Sequence, residues 1–208
     1  KGIPVGGSVV RERVRNADGS LPASFHRVVT HRTPLSAALN RAGKDSLGMM
    51  AEALIKLLGC KKCGVGTWEA GRSVVEEFLA KARVSAGQFR VDDGSGLSRQ
   101  NRLSAAAMTE VLRYTFSCPG GRFDAMRNSL SRAGIDGTLE KRMRNSVAKG
   151  RVFAKTGYIN GVRTLAGYVH TTSGKWLAFA FFYNQAPATR PISNLQDRAC
   201  ELLVQWRE

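Results

Sequence analysis

The stretch from Val152 to Tyr183 most constrains what this chain can fold into. Val152–Thr156 reads as a strand, and Asn160-Gly161 is a strong tight-turn signal, because a two-residue hairpin loop needs left-handed backbone. Arg163–His170 is the returning strand, Ser173-Gly174 turns again, and Trp176-Leu177-Ala178-Phe179-Ala180-Phe181-Phe182-Tyr183 is almost continuously apolar. A strand without polar alternation is expected to be buried on both faces, so helices should cover the sheet on both sides. The expected fold class is α/β (α+β): an antiparallel sheet flanked by helices.

Upstream the period is helical, with Pro34 opening helical territory. Ser46–Leu58 carries Leu47, Met50, Ala51, Leu54, Leu57 and Leu58 at helical spacing, and Gly59 is expected to end it. Trp68–Val84 reads as a helix capped by Thr67, with Val74, Val75, Phe78, Leu79 and Ala82 inward. Val91–Ser98 is too polar and Gly-rich for a regular element. Ser104 caps a helix to about Phe116 with Met108, Val111 and Leu112 inward, and Phe123–Ala133 is expected to be another, closed by Gly134. Thr138–Arg144 reads as a short helix. Pro191 starts a C-terminal helix with Ile192, Leu195, Ala199, Leu202, Leu203 and Trp206 on one stripe. At the other end, Val9–Val14 and Phe25–Thr30 are β-rich and separated by the turn-rich Asn16–Ser20.

The chain has 208 residues, enough for one sizeable domain with its own core. No apolar run approaches the ~20 residues of a membrane helix. Lys1–Ser8 has no apolar h-region, as a mature secreted chain also would not. Net charge is +16, so the surface attracts polyanions: nucleic acid, anionic lipid or cell-wall polymer. The basic residues are scattered, as in Arg11, Arg13, Arg15, Lys141, Arg142 and Arg144. No aromatic ladder interleaves them as in single-strand binders, so nucleic acid is not an expected partner.

Cys60-Lys61-Lys62-Cys63 has the spacing of half a zinc site or of a redox motif. The second half is missing, since Cys118 and Cys200 lie far apart. A small local disulfide or two free thiols is the simpler reading. His26, His31 and His170 are scattered, so neither they nor the cysteines indicate a metal site.

Lys155-Thr156-Gly157 occurs in penicillin-binding proteins and their β-lactamase relatives, where a strand end sets a cation beside a hydroxyl. Three further stretches precede it in order: Lys44–Glu52, Asp93-Gly94-Ser95-Gly96-Leu97-Ser98-Arg99, and Ala133–Leu139. Leu165-Ala166-Gly167-Tyr168 follows it. From about residue 30 onward this series resembles the D-alanyl-D-alanine carboxypeptidase/endopeptidase family, the class C low-molecular-mass penicillin-binding proteins. The resemblance implies a penicillin-binding-protein/β-lactamase-like transpeptidase fold, incomplete at its N-terminal side. Residues 31–208 would be its C-terminal part, and 1–30 the β-rich return from an inserted domain.

The resemblance also implies roles. Ser46, in the position of the family's Ser-x-Asn serine, would relay a proton between the catalytic lysine and the leaving amine. Lys155 would set the electrostatics around Ser46 and the substrate carboxylate. Thr156 would donate to that carboxylate, with Gly157 following. The N–H of Tyr158 would be half of an oxyanion hole. Arg99 would pair a carboxylate of the stem peptide through its planar fork. Peptidoglycan stem peptides would be substrates and β-lactams inhibitors, with no cofactor and no metal. The expected location is the periplasm or the extracytoplasmic cell envelope.

Two departures stand out. Gly48 occupies the position of the family's Asn, so no side chain there can bond the substrate amide. The nucleophile motif Ser-x-x-Lys is matched in this sequence by Ser146-Val147-Ala148-Lys149, which lies in an expected loop just before the Lys155 strand. Three explanations stay open: a fragment, one half of a nicked enzyme whose N-terminal fragment carries Ser-x-x-Lys, or a degenerate protein. Simpler roles also stand: Ser46 as a helix cap, Ser98 as a turn former, Arg99 as a solvated charge. The rival function is a non-catalytic basic cell-wall-binding domain.

Overall fold

The computed structural model describes residues 6–8, 15–16, 18, 20–26, 28–186 and 190–207. They divide into two compact units, 1–33 and 34–208. In the first, Asn16 N–H bonds the Ser20 carbonyl at 3.0 Å, and Asp18 accepts from Ser20 N–H at 2.8 Å, so Asn16–Ser20 is the turn its residues suggest. The Val9–Val14 strand lies outside the described residues. The described part of Phe25–Thr30 forms no strand: Val28 and Val29 are exposed, and no described residue pairs with them.

In the second unit, helix α1 (Leu35–Gly43) leads to α2 (Gly48–Cys63) and α3 (Trp68–Lys81). A two-stranded ribbon, β1 (Phe89–Arg90) and β2 (Arg102–Leu103), brackets the Gly-rich loop. Helices α4 (Ala105–Ser117) and α5 (Arg122–Ser129) follow, then β3 (Ser131–Arg132), β4 (Val152–Ile159), β5 (Val162–His170), β6 (Trp176–Tyr183) and α6 (Arg190–Val204). The sheet runs β3-β4-β5-β6, antiparallel throughout. Ile159 pairs with Val162, leaving Asn160-Gly161 as a two-residue hairpin loop with Gly161 at φ +77°.

Both faces of the sheet are covered. Val152, Ala154, Leu165, Val169 and Phe179 pack with Cys200 and Val204 of α6. The alternate residues Phe153, Tyr168, Trp176 and Ala178 pack with Leu112 of α4 and Met126 of α5. The Tyr168 hydroxyl donates to the Leu112 carbonyl at 2.8 Å, tying α4 to the sheet, and burial pushes that phenol up to about 12. Thr67 and Ser104 cap α3 and α4 through their hydroxyls, accepting from Ala70 N–H and Ala107 N–H.

Four further expectations need correction. Gly59 does not end α2; it lies buried inside it, where a Cβ would sit 2.8 Å from Gly71 N of α3. Contact between the helices requires glycine at that crossing, and α2 ends at Gly64, in the left-handed region that favours glycine. The helix expected over Phe123–Ala133 stops at Ser129, because Ser131 and Arg132 pair with Ala154 and Phe153 in the sheet. Thr138–Arg144 is a short 3₁₀ turn, Gly137–Leu139, followed by irregular turns.

The fourth concerns α6, which is rotated from its expected stripe. Gln196, Cys200 and Val204 face the sheet, while Leu195 and Leu202 are exposed. Arg142 fixes this rotation. It donates to Asp197 Oδ1 at 2.7 and 2.9 Å, to Gln196 Oε1 at 3.2 Å and to the Ser193 carbonyl at 3.2 Å. Burial raises the Cys200 thiol to about 12, which keeps it neutral. Cys60 and Cys63 are free, exposed thiols on the last turns of α2. Among the described residues, no helix is long and apolar enough to cross a membrane.

Candidate active site

Strand β4 fixes the first group. Lys155 lies one residue beyond the buried Ala154, on the half-buried part of the strand. Its Nζ donates to Ser46 Oγ at 2.5 Å and to the Thr156 carbonyl at 2.7 Å. Burial disfavours the ammonium form and lowers the Lys155 pKa below its ordinary 10.5. Ser46 comes from the turn between α1 and α2, with backbone in the left-handed region at φ 54°. It does not cap α2: Leu47 holds the N-cap position and no side chain bonds there. The Ser46 hydroxyl therefore meets Lys155.

Thr156 Oγ1 donates to Thr138 Oγ1 at 2.9 Å, bringing the 3₁₀ turn to the same edge of β4. Gly157 faces Thr164 of β5 so closely that a Cβ would overlap Thr164 Oγ1, a steric reason for glycine in the tripeptide. Tyr158 is exposed, with the Arg163 guanidinium carbon 3.2 Å from its ring centroid. β3 pairs with β4 at Phe153 and Ala154 alone. From Lys155 to Ile159, one edge of β4 has no strand partner among the described residues.

The opposite wall is the Gly94–Leu97 loop, built around two carboxylates. Asp93 accepts from the N–H groups of Gly96, Leu97 and Ser98, from Ser95 Oγ, and from Asn101 Nδ2 at 2.7 Å. Glu52 of α2 accepts from Gly94 N–H at 3.2 Å, Ser95 N–H at 2.9 Å and Trp68 Nε1 at 2.7 Å. Burial alone would raise both carboxyls, but these hydrogen bonds outweigh it and hold Glu52 and Asp93 below their ordinary values. Arg99 reaches from this wall across to the hairpin, donating to the Asn160 carbonyl at 3.2 Å. Ser98 accepts from Gln100 N–H at 3.1 Å, within the loop's own turn.

Between the walls lies a cleft of about 670 Å³, lined by Ser46, Gly48, Ser95, Leu97, Thr138, Lys155, Thr156, Gly157 and Tyr158 among others. The structure thus gathers Ser46, Lys155, Thr156, Gly157 and Tyr158 on one cleft and sets Arg99 at its hairpin end. Gly48 lines it without a side chain. Ser146 does not join them. Its hydroxyl donates to the Met143 carbonyl at 3.3 Å, and it lines a separate hollow with Arg144, Val147, Arg198 and Glu201. Sequence reasoning gave no role to Glu52, Asp93, Thr138 or Thr164. For Thr138 the signal was its place in the Ala133–Leu139 stretch; for Glu52 and Asp93 only folding shows what their carboxylates hold.

The family model described as the D-Ala-D-Ala carboxypeptidase 3 (S13) family matches residues 1–203. The D-alanyl-D-alanine carboxypeptidase of Actinomadura sp. (strain R39) is 37% identical over 197 residues, covering 90% of this chain and 36% of that protein. The crystal structure of penicillin binding protein 4 (dacB) from Haemophilus influenzae, complexed with a novel β-lactam, superposes with a TM-score of 0.74 at 25% identity. It covers 83% of this chain and 42% of that one. TLA-3 extended-spectrum β-lactamase shares the fold alone, at a TM-score of 0.62 and 15% identity over 83% of this chain and 66% of that one. The chain spans about a third of the length of the curated relatives it matches.

Proposed function

This chain belongs to the D-Ala-D-Ala carboxypeptidase 3 (S13) family, and from that premise we propose that it supplies one side of a serine-type D-Ala-D-Ala carboxypeptidase/endopeptidase site. The substrates are peptidoglycan stem peptides, and β-lactams are inhibitors. The single observation that carries the reading is the Lys155–Ser46 hydrogen bond, made between residues 109 apart in sequence on a cleft that Thr156 also lines.

The reaction class is acyl transfer. A serine hydroxyl attacks the peptide carbonyl, the C–N bond breaks, and the leaving amine takes a proton; water then hydrolyses the ester. The attacking serine comes from a segment outside these 208 residues, a reading supported by the position of Ser146 in a different hollow. Ser46 relays the proton to the amine, and Lys155 holds positive charge beside it. Thr156 and Lys155 bind the terminal carboxylate. The unpaired stretch of β4 accepts the extended peptide as an added strand, with the Tyr158 N–H turned to the reacting oxygen. Arg99 takes a carboxylate of the stem peptide side chain. The protein works in the periplasm or extracytoplasmic envelope.

The complete protein carrying this chain should be acylated by a fluorescent penicillin and should release D-alanine from a D-Ala-D-Ala peptide. A folded, complete protein that does neither would sink the proposal. Gly48 favours a second reading, since the cleft lacks the amide the family places there: a basic, non-catalytic cell-wall binder. That protein would bind purified cell wall in a salt-sensitive way without turnover.

A further inference from the structure

We infer that the Lys44–Asp136 ion pair is a positioning device that holds Ser46 against Lys155. This rests on the acyl-transfer reading for its consequence, but not for its geometry. Ser46 has a left-handed backbone, which a residue with a Cβ adopts only when its surroundings over-determine it. Those surroundings begin two residues upstream.

Lys44 is anchored by three kinds of bond. Its N–H donates to the Asn40 carbonyl at 2.8 Å, ending α1. Its carbonyl accepts from Thr138 N–H at 3.2 Å and from Ser131 Oγ at 3.4 Å. Its Nζ donates to Asp136 Oδ2 at 2.6 Å, across 92 positions of sequence. Asp136 is itself fixed, because Oδ1 accepts from the Arg132 N–H of β3 at 2.8 Å. Between Asp136 and Thr138, Gly137 sits at φ +58°, and a Cβ on it would strike Ser131 Oγ and press on the Lys44 carbonyl.

These contacts close a circuit. Lys44 holds Asp136 and Thr138; Thr138 Oγ1 accepts from Thr156 Oγ1; Lys155 donates to the Thr156 carbonyl and to Ser46, two residues from Lys44. The Ser46 turn is thereby referenced to the strand edge that carries Lys155. On the downstream side, Leu47 N–H donates to the Arg41 carbonyl at 3.1 Å, so Ser46 lies between two anchored residues, Lys44 and Leu47. The neighbouring Arg41–Asp45 pair differs in kind. It is an i,i+4 surface contact at 3.1 Å, with side chains 60% and 46% exposed against 27% and 36% for Lys44 and Asp136. Pairs so exposed contribute little.

The test uses the complete protein carrying this chain, with Asp136→Asn, Lys44→Gln, the double variant, and Asp45→Asn as control. The readouts are melting temperature, the second-order rate of acylation by a fluorescent penicillin, and the NMR titration of the Lys155 side chain. We expect about a tenfold or larger loss of acylation rate in each single clamp variant. The double variant should be no worse than either, as for residues acting as one unit, and Asp45→Asn should acylate at the parent rate. The Lys155 titration midpoint should shift in the clamp variants and stay in the control. If Asp136→Asn fails to fold, Lys44→Gln carries the test, because it leaves the Arg132–Asp136 bond in place. Acylation at the parent rate in folded clamp variants would overturn the inference. If the parent protein itself is not acylated, the acyl-transfer reading fails, and the NMR arm still decides: an unchanged Lys155 titration in the clamp variants overturns the positioning role.

Discussion

Gly48 lies directly against Ser95: a Cβ on Gly48 would sit 3.4 Å from the Ser95 Cβ and 3.9 Å from Leu97 Cδ1, both ordinary van der Waals distances. Nothing in the backbone requires glycine there, since Gly48 is the first residue of α2 and has no positive φ.

Gly48→Asn should therefore fold without strain and place an amide on the cleft wall between Ser46 and Ser95. We expect kcat/KM for a D-Ala-D-Ala peptide to rise, by roughly tenfold for one restored hydrogen bond to the substrate amide. Steady-state kinetics of D-alanine release on the complete protein checks this. Unchanged kinetics with an unchanged fold would mean the amide is not needed at this position.

Ser46→Ala removes the hydroxyl that meets Lys155 and should lower acylation by a fluorescent penicillin about 10²–10⁴-fold, the range for a positioned proton-transfer group. The melting temperature should barely change, because Ser46 is exposed. The Lys155 ammonium is lost as pH rises through a pKa that burial sets below 10.5, so the alkaline limb of parent acylation should fall at lower pH than a free lysine would give. A limb at or above pH 10.5 would contradict this.

Glu52→Gln breaks a carboxylate that gathers the N–H groups of Gly94, Ser95 and Trp68. We expect a loss of about 1–3 kcal/mol of stability, with a change in Trp68 fluorescence. Because the folded-state pKa lies below the ordinary 4.5, the carboxylate's contribution is complete above that value and disappears as pH falls through the lowered one. Urea denaturation of both proteins should show a constant gap well above the ordinary value of 4.5 that closes as pH falls below it. A gap that widens on acidification would refute the assignment.

Asp197→Asn leaves the half-buried Arg142 guanidinium without its anion, although Gln196 and the Ser193 carbonyl remain. The expected cost is about 1–3 kcal/mol, below that of a fully buried pair because both side chains keep about a fifth of their surface in water. Acylation, corrected for the unfolded fraction, should not change, since α6 lies on the far side of the sheet core from Lys155.

The meander, its two turns, the caps at Thr67 and Ser104 and the two-sided burial of the sheet were all legible in the sequence. Each depends on a residue's near neighbours: period two along a strand, Asn-Gly between strands, a hydroxyl before a helical run. The same locality explains the errors. Gly59 reads as a helix end until Gly71 of α3 is seen to touch it, and the exposed Leu195–Leu202 stripe of α6 reads as core until Arg142 is seen to hold Asp197.

The sequence by itself determined that Lys155, Thr156 and Gly157 stand in line on one strand beside a hairpin, because strand geometry follows from composition and alternation. It also set the limits of the site: glycine at 48, and a Ser-x-x-Lys match at Ser146 alone. Only the tertiary structure decided that Ser46 meets Lys155, that Glu52 and Asp93 hold the loop opposite, and that Lys44 locks to Asp136. Those contacts join residues 92 and 109 positions apart in the two lysine pairings. Nothing in local propensity specifies such a contact. It exists because packing of the helices on the sheet brings the two segments within a few ångströms, and one polar atom then satisfies another.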